Sequence, residues 1–473
     1  MGFAGYVAWF VISGIAFIAI LLLLFVAFAY WYESVQKIIS PISKRKKRLP
    51  YQEKKWVNSS EISSTEVKNF KLNVPEEVLE DLRSRLRNTR YGPPMEGVNF
   101  HFGFPAHYLK KVVSYWLNNY DWRKQEAYIN SFPQYTTNIE GLTIHFVRAV
   151  PPEAAGGRVK VVPILAVHGW PGSFFELLKL VPLLNKPREI SHNTFVAFEV
   201  IIPSIPGYGF SDAAEKPGLE TGNTARIFNT LMNRLGHEQY FIHGGDWGSS
   251  VCSFLAAMYP ERILGMNITM YNIPMPASGM KGLLAKFFPS LMKISPGDEK
   301  KLFWNNFGFT MRESGYFHIN ATKPDTVGSA LTDSPAGLAA YILEKYSTWT
   351  NPANIDYPEG NITKYFTLDE LLTNVMIYWV SNSITSSCRL YKEAFYSGPE
   401  IDLPRSIPAE MPTVLSDFQS EIGGANPPDA FAKLYFPKLI TVSKHVTGGH
   451  FPSMERPDDV ASDIWLLVSS VLK

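Results

Sequence analysis

One heptapeptide constrains the fold of this chain more than any other: His243-Gly244-Gly245-Asp246-Trp247-Gly248-Ser249. It follows an apolar, strand-like run, Tyr240–His243, and leads into a helical run that starts near Gly248. Small residues on either side of Asp246 permit a strained strand-to-helix turn that exposes the central side chain. A plain helix-capping Asp is the blander reading of the same letters. The surroundings favour the turn. Strand-like segments at Leu142–Val147, Val161–Val167, Phe195–Ile202 and Ile263–Ile268 alternate with helical ones at Phe175–Leu184 and Thr224–Leu235. That alternation predicts an α/β protein, a mostly parallel sheet with helices on both faces.

The alternation stops between Met270 and Pro408, a stretch rich in Pro, Trp and Tyr whose clearest segments, Ala336–Thr348 and Asp369–Phe395, read as helices. Strand-like runs return at Met411–Leu415 and Leu439–Val442. One sheet is therefore expected in two parts, 141–269 and 409–473, with a helical insertion over 270–408. Ahead of it, residues 61–140 form an aromatic-rich region, in which Val74-Pro75-Glu76-Glu77 opens a helix with Val78, Leu79, Leu82 and Leu86 on one face.

The centre of the turn decides the chemistry. Esterases and lipases carry Ser there; this chain carries Asp246. A hydroxyl that attacked a saturated carbon would leave an ether, which water does not readily cleave. A carboxylate leaves an ester, whose carbonyl is open to hydrolysis. The electrophile is thus an sp3 carbon, as in an epoxide or an alkyl halide. Upstream, Ile164–Val167 runs into His168-Gly169-Trp170-Pro171-Gly172. Alone this is an ordinary Gly/Pro turn. Placed before such an elbow, it is the loop that supplies one oxyanion-hole N–H, so the backbones of Trp170 and Trp247 are assigned that task. The hydrolytic base should come last in the chain, and His450 in Gly448-Gly449-His450-Phe451-Pro452 fits; His445 lacks the glycines and continues the strand. The acid that orients His450 is Asp417 or Glu421, with spacing favouring Asp417, which almost directly follows the strand Met411–Leu415.

Composition narrows the rest. Lys+Arg 45 against Asp+Glu 43 gives +2, no field to gather nucleic acid. The two cysteines, Cys252 and Cys388, exclude a disulfide scaffold. Zinc-type spacing, HExxH and a GxxxxGK[ST] loop are absent, so no metal or organic cofactor is expected. From Met1 to Tyr32 there is no charged side chain, and Tyr6, Trp9, Tyr30, Trp31 and Tyr32 stand near the ends of the apolar run. That is a transmembrane helix with interfacial rings, too long and too poor in basic residues at its start for a signal peptide. The basic linker 33–60, with Lys44-Arg45-Lys46-Lys47-Arg48, places the catalytic bulk in the cytosol.

Taken together, the chain resembles the microsomal epoxide hydrolases, a family that includes the insect juvenile hormone epoxide hydrolases. The resemblance rests on the anchor, Phe70-Lys71-Leu72-Asn73-Val74-Pro75, HGWPGSF, Pro203-Ser204-Ile205-Pro206-Gly207-Tyr208-Gly209-Phe210-Ser211, GGDWGS, Thr322-Lys323-Pro324-Asp325-Thr326-Val327-Gly328 and Gly448-Gly449-His450-Phe451. It implies an α/β-hydrolase fold with a helical lid, an N-terminal helical or irregular region and an N-terminal transmembrane helix in the endoplasmic reticulum membrane. It also implies Asp246 as nucleophile, His450 as base and Glu421, rather than Asp417, as the acid. Tyr316 and Tyr391, from the lid, would donate protons to the epoxide oxygen. The expected substrates are lipophilic epoxides, xenobiotic or hormonal, and the expected products vicinal diols. Two rivals remain: a haloalkane dehalogenase, which shares the Asp–His logic, and an inactive binding protein on the same scaffold.

Overall fold

The computed structural model describes residues 53–58, 64–152, 159–271, 311–396, 407–422 and 426–472, with isolated positions at 22–23, 290, 294–295, 298 and 308–309. The expected membrane helix over 1–32 and most of the basic linker lie outside the described residues; among those described, no helix is long and apolar enough to cross a membrane.

Among the described residues ten strands form one sheet. They are β1 (Lys68–Phe70), β2 (Gln134–Ile139), β3 (Leu142–Ala149), β4 (Val159–Val167), β5 (Arg188–Ser191), β6 (Thr194–Pro203), β7 (Tyr240–Gly244), β8 (Ile263–Ile268), β9 (Thr413–Phe418) and β10 (Leu439–His445). Their order is β1-β2-β3-β6-β4-β7-β8-β9-β10, with β5 paired to β6. The β1-β2-β3-β6 edge is antiparallel, and β6-β4-β7-β8-β9-β10 is parallel. The central strands β6 and β7 are buried along almost their whole length, the condition for strands covered on both faces. After β4 the chain turns to one side to build β5 and β6, then crosses to the other for β7. The crevice between the carboxyl ends of β4 and β7 is therefore the switch point where ligands bind in such sheets.

Two features ahead of the elbow differ from what the letters suggest, one in the first region and one in the core. The helix expected after Pro75 forms as α1 (Glu76–Arg87), followed by α2 (Ala106–Asn118) and α3 (Trp122–Ile129). The region also contributes β1 and β2 to the sheet edge, although their short, half-buried patterns carry little apolar alternation. Phe175–Leu184, expected as a helix, is a 3-10 turn over Phe174–Leu180 and one short α-turn.

Between β8 and β9 the described chain is helical: α6 (Gly315–Thr322), α7 (Pro324–Asp333), α8 (Pro335–Thr348), α9 (Leu368–Val380) and α10 (Ile384–Tyr396), after α4 (Thr221–Arg234) and α5 (Trp247–Met258) of the core. The long helix expected over Asp369–Phe395 breaks between α9 and α10, where Asn382 takes a left-handed conformation at φ 54°. Three polar residues, Ser381-Asn382-Ser383, offer the backbone the local hydrogen bonds that end helices. The first region pins this lid from outside. Arg85 reaches Asp333 at 2.7 Å, and the Tyr115 hydroxyl donates to Asp369 at 2.9 Å.

Candidate active site

Asp246 sits between β7 and α5 with φ 49° and ψ −124°, a conformation that costs a non-glycine residue about 1–3 kcal/mol. Close packing holds it there. A Cβ on Gly248 would overlap the Val167 carbonyl, and one on Gly244 would lie 2.5 Å from the Gly248 carbonyl carbon. The elbow thus needs Gly248 for contact with β4 and Gly244 for contact with the first turn of α5, and the aspartate between them projects from the turn. It makes no side-chain cap to α5, so the helix-capping reading fails. Instead, the Trp170 N–H donates to Asp246 Oδ1 at 2.8 Å. Trp247 is the first residue of α5, and its N–H belongs to the helix end whose donors lack intrahelical acceptors.

His450 approaches from the loop after β10. Its Nδ1 lies 2.6 Å from Glu421 Oε1, and its Nε2 lies 3.6 Å from Asp246 Oδ2. The second distance is that of an ion pair rather than a hydrogen bond. Burial pulls the imidazole pKa down, but the Glu421 and Asp246 carboxylates outweigh it and raise it to about 10. The loop is fixed on both sides of the ring. Glu455 accepts from the Gly449 N–H at 3.1 Å and the Phe451 N–H at 3.0 Å, and the His450 N–H donates to the Trp349 carbonyl at 3.0 Å. Gly449 is obligatory there, since a Cβ would meet the Thr350 carbonyl oxygen.

Spacing favoured Asp417, and the geometry corrects that preference. β9 runs on to Phe418, so Asp417 lies inside the strand opposite Lys444, where its carboxylate accepts from the Asn426 amide at 3.1 Å. Glu421 lies just past the strand end and reaches the imidazole. Its Oε1 also accepts from the Ile422 N–H at 3.0 Å, while Oε2 is buried with no hydrogen-bond partner among the described residues. His445 ends β10 and meets Asp463 at 2.8 Å, well apart from this cluster.

The lid brings Tyr316 on α6 and Tyr391 on α10 over the same crevice. The Tyr316 ring stacks on Trp170 at 5.3 Å with the planes 2° apart, and Tyr391 sets its edge against Trp247 at 4.8 Å. The two phenol rings are 6.0 Å apart and nearly perpendicular. Burial raises both phenols well above 10, and the Asp246 charge adds to the rise, so each keeps its proton at neutral pH. The Tyr391 hydroxyl has no hydrogen-bond partner among the described residues.

Three neighbours escaped the reading of the sequence. Trp349 places its ring against His450 at 4.9 Å. Lys345 lies 4.8 Å over the Tyr316 ring. Glu176 lines the same cavity as Asp246 and His450. Only the last had a legible signal: it is an acid alone in the apolar run Phe174–Leu178. Among the described residues no His/Cys/Asp/Glu group is arranged to hold a metal ion.

A switch-point cavity, an elbow and a buried His–Glu pair define an α/β-hydrolase whose elbow carries a carboxylate. Residues 162–380 match the alpha/beta hydrolase fold family, and residues 67–177 match the epoxide hydrolase N terminus family. Epoxide hydrolase 1 of Sus scrofa is 44% identical over 400 residues, covering 84% of this chain and 87% of its own length. Juvenile hormone epoxide hydrolase 1 of Ctenocephalides felis is 42% identical, with 85% of each chain covered. The crystal structure of juvenile hormone epoxide hydrolase from the silkworm Bombyx mori superposes with a TM-score of 0.82 at 39% identity, covering 87% of this chain and 96% of that one. The chain belongs to the epoxide hydrolase family.

Proposed function

We propose that this enzyme converts lipophilic epoxides to vicinal diols through an ester on Asp246. The observation that carries the reading is the Asp246 carboxylate held by the Trp170 N–H, with the partly buried Tyr316 packed on Trp170 and the buried Tyr391 packed on Trp247 above it. Asp246 attacks an epoxide carbon while Tyr316 and Tyr391 hydrogen-bond the ring oxygen, and one of them gives its proton as the C–O bond breaks. Donation to a developing alkoxide strengthens as charge builds, so it lowers the barrier more than it tightens ground-state binding. A halide departs without needing a proton, which is why paired phenols favour an epoxide over the dehalogenase alternative.

The proton inventory closes. His450, held protonated by two carboxylates, faces Asp246 in the resting site. Esterification removes the Asp246 charge and with it part of what keeps the imidazole protonated. The proton that Tyr gave to the alkoxide is restored from the imidazolium, leaving a neutral base. His450 then takes a proton from water as the water oxygen bonds the ester carbonyl carbon. The Trp170 and Trp247 N–H groups stabilise the oxyanion, the ester C–O bond breaks, and the proton on the added hydroxyl passes to the departing alkoxide. Glu421 orients the ring throughout.

The aromatic walls suit apolar epoxides, and the relatives named juvenile hormone epoxide hydrolase support a hormone-type epoxide as one candidate beside xenobiotic ones. The uncharged segment 1–32 followed by the basic run Lys44–Arg48 supports anchoring in the endoplasmic reticulum membrane with the catalytic part in the cytosol. Incubation with a styrene-type oxide and a juvenile-hormone-type epoxide should give diols, with the rate ratio assigning the preferred class. Halide release from a matched chloroalkane, with no diol from either epoxide, would overturn the reading.

A further inference from the structure

Glu176 has no part in the cycle above, yet its surroundings are those of the reacting groups. It stands on the 3-10 turn Phe174–Leu180 and lines a small cavity together with Gly169, Asp246 and His450. Its Oε1 accepts from the Gly169 N–H at 3.3 Å, one residue before the N–H that holds Asp246. No hydrogen-bond partner for Oε2 is found among the described residues. The cavity leaves about 20 Å³ open to the centre of a water molecule. That is room for one, since an ordered water needs roughly 10–15 Å³ of such space and two or more polar partners.

We propose that Glu176 is a positioning residue for the second half-reaction, anchoring in this cavity the water that His450 deprotonates. The inference rests on the ester at Asp246. Burial favours the neutral carboxyl and outweighs the Gly169 N–H and His450, which favour the charged form, so the group rises to about 8 in the resting site, where the Asp246 charge also contributes. The burial persists when Asp246 is esterified. A neutral Glu176 takes the Gly169 N–H on one oxygen and donates its own O–H to the water oxygen. Both water hydrogens stay available, one for His450 Nε2, and a lone pair stays free for the ester carbonyl. Glu176 neither gains nor loses a proton in the step. It sets the position of the water without placing a full negative charge beside the oxyanion that forms on the Asp246 ester.

Rapid-quench mass spectrometry of the Asp246 peptide, with a slowly hydrolysed epoxide, resolves ester formation from ester loss. In Glu176→Leu, ester formation should stay within about 3-fold of wild type while ester loss slows by about 10-fold or more, so that the ester accumulates. Glu176→Gln, whose amide can accept from Gly169 and donate to water, should keep both rates within about 3-fold. Ester loss at the wild-type rate in Glu176→Leu, or a parallel fall of both steps, would overturn the proposal; the second outcome marks a purely structural role. Should that variant not fold, Glu176→Asp decides: withdrawing the carboxyl by one carbon should slow ester loss alone, and unchanged loss overturns the idea. Absence of any ester on wild-type Asp246 is a separate result, and it removes the parent mechanism as well.

Discussion

The two halves of the site are held by different physics. On the sheet side, Asp246 and His450 stand on loops where the main chain has almost no freedom: a positive-φ elbow wedged against β4, and a glycine loop pressed on the Trp349–Thr350 backbone. On the lid side, Tyr316 and Tyr391 stand on ordinary helices, and ring packing aims them. Tyr316 lies flat on Trp170, and Tyr391 packs edge-on to Trp170, Trp247 and Phe317. The sheet-side groups are aimed by backbone geometry that only certain residues allow. The lid groups are aimed by surface complementarity that many sequences could supply. The first kind of placement should be brittle to small steric changes, and the second should tolerate them.

A pair of glycine substitutions tests that contrast most severely. Gly248→Ala drives a methyl into the Val167 carbonyl, and a loss of about 4 kcal/mol or more, or of folded protein altogether, is expected. Gly315→Ala, beside Tyr316 at the start of α6, meets nothing within 4 Å and should change stability by less than about 1 kcal/mol. Chemical denaturation of both variants checks the claim, and equal losses would break the comparison.

Next in size are the reacting groups. Asp246→Ala should cut diol formation by about 10⁴-fold or more, as expected when a covalent nucleophile is removed. Tyr316→Phe or Tyr391→Phe, which keep the ring stack, should each slow ester formation by about 10- to 100-fold. Single-turnover assays with burst detection separate these steps. Tyrosine variants that slowed only ester loss would contradict the proton-donor role.

Carboxylates come third. Glu421→Gln should slow ester loss by about 10- to 1,000-fold, whereas Asp417→Asn should leave it within about 3-fold, because Asp417 is taken up by Asn426. The smallest effect is on stability. His450 has a folded pKa of about 10 against an ordinary 6.5, so the stability it contributes is fully present below pH 6.5 and is lost as pH rises through 10. Unfolding midpoints should therefore fall between pH 7 and 10. Glu421→Gln removes a cause of the raised pKa and should flatten that fall by on the order of 1–3 kcal/mol.

The same division governed what the sequence disclosed. Asp246, His450 and the Trp170 turn were legible because close backbone approach demands glycine, and glycine in a fixed pattern is visible in one sequence. The parallel strands were equally plain, since burial on both faces leaves long apolar runs such as Phe195–Ile202. Tyr316 and Tyr391 rested on resemblance alone, for a tyrosine on a helix face looks like any core tyrosine. The break between α9 and α10 was missed because apolar periodicity resumes on both sides of Ser381–Ser383 and masks the stop. Spacing pointed to Asp417 because the strand was ended at Leu415; three more residues of ladder turn that acid away from His450. β1 and β2 left no readable trace, since β1 has only three residues and the mostly polar β2, Gln134–Ile139, carries little apolar alternation.

The central claim is a covalent ester on Asp246, and a single turnover in ¹⁸O water tests it most directly. With enzyme in excess over epoxide, the account predicts an unlabelled diol and ¹⁸O in the Asp246 carboxylate, found by mass spectrometry of its peptide. Label in the first diol, with Asp246 unlabelled, would mean that water attacks the epoxide itself and would contradict the account.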